Sequence, residues 1–362
     1  MAAGNDNERL AQIIASAGVV GGRFGGLEYL PDVGGAFSLC FGARDTVTAE
    51  SVFLKFLNPK HNGDLRGRFF QREVRICRQL EGRENIVQIR GEPGVLTLEL
   101  THMDTGLRFP MACQYLPMER AKRSFAQYLL LQRRPPSLHR RLGVIHDAAK
   151  GVGRLHRVGF CHRDLKPDNI LLFRGGLAKL GDLGTCRARD ENDGALEADY
   201  LGQVGQVGYT APEILCGGWN KRELYPGADW FSLGAVLFEA VTGFPLYVAV
   251  GLHGEDLWDM VAHFRPVPEN ARLPMYQAIV SDIAGEYPVP SVRDYAASDP
   301  FLARASDSTL DSLDHLVRGL CHFDFRRRTS SFPGVLRAIE ISRRHALLDE
   351  QRRAQRILRG QP

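Results

Sequence analysis

The chain changes character near residue 120, and that change limits the architectures open to it. Up to about Leu116 it reads as short strands around one helix. Phe37–Phe41 and Ser51–Leu57 are rich in β-branched and aromatic residues and are joined by a polar turn, as in a hairpin. Phe70, Val74, Cys77 and Leu80 recur at helical spacing between charges, so the spacing predicts a helix over 69–80. Val95–Leu100 and Pro110–Leu116 read as two more strands. After Ser124 the character is helical, over 125–132, 138–158, 229–241 and from Leu310 onward, with loops at Pro135-Pro136 and at 288–290. A small strand-rich part before a larger helical part predicts two lobes with a cleft.

Composition excludes several classes. With 44% hydrophobic and 24% charged residues the chain is neither disordered, collagen-like nor coiled coil. A net charge of +4 is too small for a general nucleic-acid binder. Six arginines (343, 344, 352, 353, 356 and 359) against Asp349 and Glu350 account for all of that excess. This basic tail reads as a helix with Leu347, Gln351, Ala354 and Leu358 along one side and Ile357 beside them. It is either the last helix of the larger lobe with a solvated face, or a surface for an acidic partner, a membrane surface or nucleic acid. Seven widely spaced cysteines with no Cys-x-x-Cys pair argue against a disulfide framework or zinc site and for a reducing compartment. The first residues show no secretory pattern. The apolar stretch Trp230–Leu252 is interrupted by Glu239, Gly243 and Pro245 and reads as a buried helix and a loop rather than a membrane span. The expected setting is the cytoplasm.

The chemistry is concentrated in His162-Arg163-Asp164-Leu165-Lys166-Pro167-Asp168-Asn169, followed by the apolar Ile170-Leu171-Leu172. Asp182-Leu183-Gly184 begins eighteen residues after Asp164, and Ala211-Pro212-Glu213 lies further on. Upstream stand Val52-Phe53-Leu54-Lys55 and, on the expected helix, Glu73. Singly, an Asp or Lys in a loop is usually a solvated surface group. In this order and spacing the set resembles the eukaryotic-type (Hanks-type) serine/threonine protein kinases, whose catalytic loop reads H-R-D-L-x-x-x-N.

The resemblance implies an α+β, bilobal protein-kinase fold: a small β-rich N-lobe with its αC helix and a larger α-helical C-lobe. It divides the chain into an N-terminal extension (1–25), N-lobe (26–116), C-lobe (117–341) and basic helical tail (342–362). It implies an enzyme that uses ATP and Mg²⁺ and transfers the γ-phosphoryl group to Ser/Thr hydroxyls of protein substrates. Lys55 would hold the α/β-phosphates and pair with Glu73. Asp182 and Asn169 would bind Mg²⁺, Asp164 would take the hydroxyl proton, and Lys166 would contact the transferring phosphate. Asp229 would accept bonds from the catalytic-loop backbone, and Arg328 would pair with Glu213. The phosphate-covering loop would be Val33-Gly34-Gly35-Ala36-Phe37-Ser38-Leu39-Cys40, with Gly35 the one matching glycine. Phe53 falls where the family has a small alanine against the adenine. Cys113 is the expected gatekeeper, with Gln114-Tyr115-Leu116 as the hinge; Gln114 and Leu116 join Val33, Gly35, Phe37, Cys40 and Phe53 as nucleotide-binding residues.

Two further departures bear on control. Arg163 implies a segment ordered by a loop phosphate, yet between Cys186 and Gly208 there is no Ser or Thr, only Tyr200. Asp190, Glu191, Asp193, Glu197 and Asp199 occupy the same stretch. Either a carboxylate in Glu197–Asp199 stands in for the phosphate, or these are solvated loop charges. Gln206 sits where serine/threonine kinases usually have Thr. A pseudokinase scaffold is the alternative suggested by Phe53 and the poor glycine loop. A small-molecule kinase is the third reading, and Glu213, Arg328 and the Asp229 helix argue against it.

Overall fold

The computed structural model describes residues 3–31, 33, 37–101, 106–130, 135–188, 205–218, 221–252, 255–329 and 331–359. The chain forms two compact units. One is Met1–Lys122 with Asp182–Gly184; the other is Arg123–Gly181 with Thr185–Pro362.

The first unit contains α1 (Ala3–Ser16), β1 (Val19–Val20), β2 (Phe24–Tyr29), β3 (Ser38–Asp45), β4 (Ser51–Leu57), α2 (Leu65–Gln79), β5 (Gly94–Thr101) and β6 (Arg108–Glu119). The strands form one antiparallel sheet in the order β1-β2-β3-β4-β6-β5. Strand side chains alternate between faces, so the register decides what each face carries. One face presents Leu39, Phe41 and Ala43 of β3, Val52, Leu54 and Phe56 of β4, and Cys113 and Tyr115 of β6, all in a single buried cluster. Phe41 meets Phe56 edge-on at 5.4 Å, and Phe56 meets Tyr115 at 5.7 Å.

Residues 3–16, left outside the lobes by the sequence reading, cover that face. Leu10, Ile13 and Ile14 recur at helical spacing, and Ala11 and Ile14 are fully buried against the sheet. Asn58 Nδ2, just beyond β4, donates to Asn7 Oδ1 at 3.0 Å and ties α1 to the sheet's end. On the opposite face Lys55 reaches α2. That helix starts four residues earlier than its apolar spacing suggests, because Asp64 caps the N–H groups of Arg66 and Gly67.

The second unit contains β7 (Arg123–Ser124), α3 (Phe125–Leu130), α4 (Leu138–Arg157), β8 (Phe160–Cys161), β9 (Ile170–Leu172), β10 (Ala178–Leu180) and β11 (Arg187–Ala188). Among the described residues the α-helices that follow are α5 (Pro212–Leu215), α6 (Tyr225–Thr242), α7 (Leu246–Ala249), α8 (Glu255–Ala262), α9 (Glu269–Glu286), α10 (Asp307–Cys321) and α11 (Phe332–Leu358). α6 is buried on nearly every side, which marks it as the helix the others pack around. It ends at Gly243 in the left-handed region, as expected where the apolar stretch breaks. Among the described residues no helix is long and apolar enough to cross a membrane. α11 runs unbroken into the basic tail, with Asp349 accepting from Ser306 and Thr309 of the α10 N-terminus, and residues 351–359 are exposed.

α6 and α10 pack tightly at Gly234, where an added Cβ would lie 2.5 Å from Cys321 Sγ and 2.7 Å from Leu320 Cβ. Gly234→Ala is therefore expected to destabilise the protein by about 1–3 kcal/mol despite alanine's better helix propensity. A chemical-denaturation midpoint that does not fall would show that the two helices separate without cost.

Candidate active site

The first unit gathers three of the expected residues at one point. Lys55 Nζ donates to Glu73 Oε2 at 2.7 Å and to Asp182 Oδ1 at 2.9 Å. Burial works against the Lys55 ammonium, but the two carboxylates outweigh it and lift its pKa. Glu73 is pushed up, first by burial and then by Asp182, against the downward pull of Lys55 and the Leu183 N–H. Asp182 has φ 54°, the left-handed region where non-glycine residues are strained.

The other expected nucleotide residues divide. Cys40 and Leu116 are the strand partners of Lys55, are buried, and share its face. Phe53, half-buried, lies two residues along on the same face, opposite Gly42 and Met118. Val33 and Phe37 are exposed, while Gly34, Gly35 and Ala36 lie outside the described residues.

The expected gatekeeper and hinge are misplaced. Cys113 sits in mid-strand on the face away from Lys55, within the cluster under α1. Gln114 is on the Lys55 face but bonds Gln71 of α2 and Asn62. β6 does not end at Leu116. It continues through Pro117, whose O accepts from Arg90 N, to Glu119, whose N–H reaches Gln88 O, both at 3.0 Å. The sequence reading ended this strand at Leu116, before a proline that the sheet accommodates. The chain passes into the second unit only after Lys122.

Sequence reasoning therefore missed Met118, which faces the same side as Lys55, and Arg120. The guanidinium of Arg120 covers Gly42 and pairs with Glu28 at 2.9 Å. The opposition of Phe53 and Met118, once the strand is extended, was the signal that could have located them.

The second unit builds a separate polar loop. β8 leads into His162 and β9 follows Asn169, so both ends of the loop are strand-anchored. Asp229 of α6 accepts from His162 N at 2.8 Å, Arg163 N at 2.9 Å and His156 Nε2 at 2.8 Å. Burial tends to raise the Asp229 carboxyl, but these donors hold it below its ordinary value. They also secure Arg163, whose φ is 69°.

Asp164 Oδ2 lies 3.4 Å from Lys166 Nζ and accepts from Asn169 Nδ2 at 3.1 Å, while Gln206 N donates to Oδ1 at 3.1 Å. Asn169 Nδ2 also donates to the Asp164 carbonyl, and among the described residues its amide oxygen has no hydrogen bond. An amide oxygen of this kind suits a hard divalent cation.

Arg163 stacks its guanidinium 4.6 Å from the Tyr225 ring centroid. Arg328 donates to both Glu213 oxygens at 2.6 and 2.7 Å, with both side chains fully buried. Asp190, Glu191, Asp193, Glu197, Asp199 and Tyr200 lie outside the described residues.

Fold and site together define one class of protein. Residues 31–339 match the model of the protein kinase domain, and the chain belongs to the protein kinase family. The first unit is the β-rich lobe with its helix and the second the helical lobe of the bilobal kinase fold. Among curated proteins the chain is similar to cyclin-dependent kinase 20 of Rattus norvegicus, 27% identical over 213 residues, which is 59% of this chain and 56% of that protein. It is also similar to myotonin-protein kinase of Mus musculus, 34% identical over 141 residues (38% of this chain, 21% of that protein). A third relative is Rho-associated protein kinase let-502 of Caenorhabditis briggsae, 35% identical over 97 residues (27% and 8%). The match to cyclin-dependent kinase 20 thus spans little more than half of that protein.

Proposed function

We propose that this chain is a protein kinase that transfers the γ-phosphoryl group of ATP, with Mg²⁺, to serine or threonine hydroxyls of proteins. The observation that carries this reading is the ion-paired set of Lys55 with Glu73 and Asp182, present together with Asp164, Lys166 and Asn169 on a loop held by Asp229. A scaffold acting only by interaction has no need of all six.

Lys55, kept cationic by its two carboxylates, serves the α/β-phosphates. Asp182 and Asn169 would hold Mg²⁺ through oxygen atoms, and the bound ion supplies neutralisation of phosphate charge. Asp164 takes the proton as the hydroxyl oxygen bonds to the γ-phosphorus and the bond to the departing ADP breaks. Lys166 steadies the transferring group. With no Ser or Thr between Cys186 and Gly208, activity without a phosphate on those residue types is part of the proposal.

The acceptor peptide is read as basic. Tyr209 donates to Glu239 Oε2 at 2.5 Å. Burial lifts the Glu239 carboxyl, Tyr209 lowers it, and the negative charge of Asp168 lifts it again. A cationic side chain would relieve that mutual repulsion.

Incubation with labelled ATP and Mg²⁺, using basic and acidic peptides bearing Ser, Thr or Tyr and a set of small alcohols, tests the reading. Label on Ser or Thr of basic peptides, lost with chelator, is the expected result. Label on alcohols alone, or none under any condition, would sink it.

A further inference from the structure

Phe37 is a large aromatic side chain left 40% exposed at the entry to β3, and its surroundings account for its position. The Arg66 guanidinium lies 3.6 Å from its ring centroid, and the His61 ring meets it edge-on at 5.7 Å and 84°. Arg66 is aimed by its neighbours. Its Nη1 lies 3.1 Å from His61 Nε2, and His61 Nδ1 lies 2.6 Å from Asp64 Oδ2. With the Nδ1 proton given to Asp64, Nε2 is left as the acceptor for Arg66.

The other oxygen of Asp64 caps α2 through Arg66 N at 2.8 Å and Gly67 N at 3.2 Å. A Cβ on Gly67 would come within 2.6 Å of His61 O, so the turn is pressed onto the helix. The backbone is fixed as well, because Asn58 N donates to Phe37 O at 3.1 Å. A continuous series therefore runs from the helix cap through carboxylate, imidazole and guanidinium to the aromatic ring, all within the first unit.

We propose that Phe37 and Arg66 are positioning residues that tether the entry to β3, at Phe37, to the first turn of α2. The inference rests on the kinase reading above. Because α2 also carries Glu73, the partner of Lys55, its first turn connects Phe37 and the ion pair through one helix. Arg66 suits this use because a planar guanidinium stacks on a ring while its edge donates elsewhere, which a lysine ammonium does not do.

Binding of a fluorescent ATP analogue with Mg²⁺ and amide exchange of Asn58 without nucleotide test the tether in the full chain. Arg66→Ala and Phe37→Leu should each weaken nucleotide binding about 3- to 10-fold. The double variant should be no weaker than the worse single one, since one contact is lost in all three. Arg66→Lys should weaken binding as Arg66→Ala does, because an ammonium does not stack on the ring while donating to His61. Asn58 exchange should quicken in Arg66→Ala and Phe37→Leu, and remain slow in Phe37→Tyr. Losses that multiply in the double variant, or affinity and exchange unchanged in both single variants, overturn the tether. If the wild type bound no nucleotide the kinase reading would fail, while the exchange rates would still decide whether the tether exists.

Discussion

Replacing Asp164 with asparagine is expected to lower phosphoryl transfer by about 10²–10⁴-fold, the usual contribution of a positioned general base. The substitution preserves side-chain size but not chemistry. Asp164 is surrounded by donors: Lys166 Nζ at 3.4 Å, Asn169 Nδ2 at 3.1 Å and Gln206 N at 3.1 Å. A carboxylate accepts from all three, whereas an amide has one oxygen and must turn its NH₂ toward a donor. The loop itself should persist, because it is held by the Asp229 bonds to His162 and Arg163. Melting temperature and nucleotide affinity should therefore stay close to wild type while kcat falls. Transfer within a few-fold of wild type would remove Asp164 from the role of base.

The largest expected effect on stability lies at Arg328. Its guanidinium grips Glu213 with two bonds of 2.6 and 2.7 Å, donates Nε to His322 O at 2.6 Å, and lies 4.7 Å from the Phe231 ring centroid. Both charges are fully enclosed. Arg328→Ala leaves the Glu213 carboxylate buried without its counterion, which costs about 3–5 kcal/mol. That is a large share of a typical folding free energy of about 5–15 kcal/mol. Urea denaturation should show the midpoint falling with little change in slope. Removing both charges, as in Arg328→Met with Glu213→Leu, should recover much of the loss, because neither ion is then stranded. A loss below about 1 kcal/mol in the single variant would contradict a closed, water-free pair.

Both experiments turn on residues that were legible in the chain: Asp164 within His162–Asn169, and Arg328 as the partner of Glu213. The strands at 51–57 and the helix bearing Glu73 were legible too, because β-branched runs and helical spacing are local signals. The end of β6 was not. Pro117 is locally a strand breaker, and only the pairing of Leu54 with Pro117 and the bond from Arg90 keep it in the sheet. Cys113 failed as a gatekeeper because alternation along a strand is strict. It lies three positions before Leu116, the partner of Lys55, so it points to the opposite face.

By itself, then, the sequence determined the inventory and order of the polar residues and the change from strand-rich to helical segments, since both are written in local spacing. Tertiary structure decided which of those residues meet. Lys55 and Asp182 are 127 residues apart, and Asp182–Gly184 group with the first unit although the chain on both sides belongs to the second. It also decided that α1 roofs the sheet and that Arg66 stacks on Phe37. Such contacts depend on strand register and on burial among distant segments, and neither is specified by any short stretch of the chain.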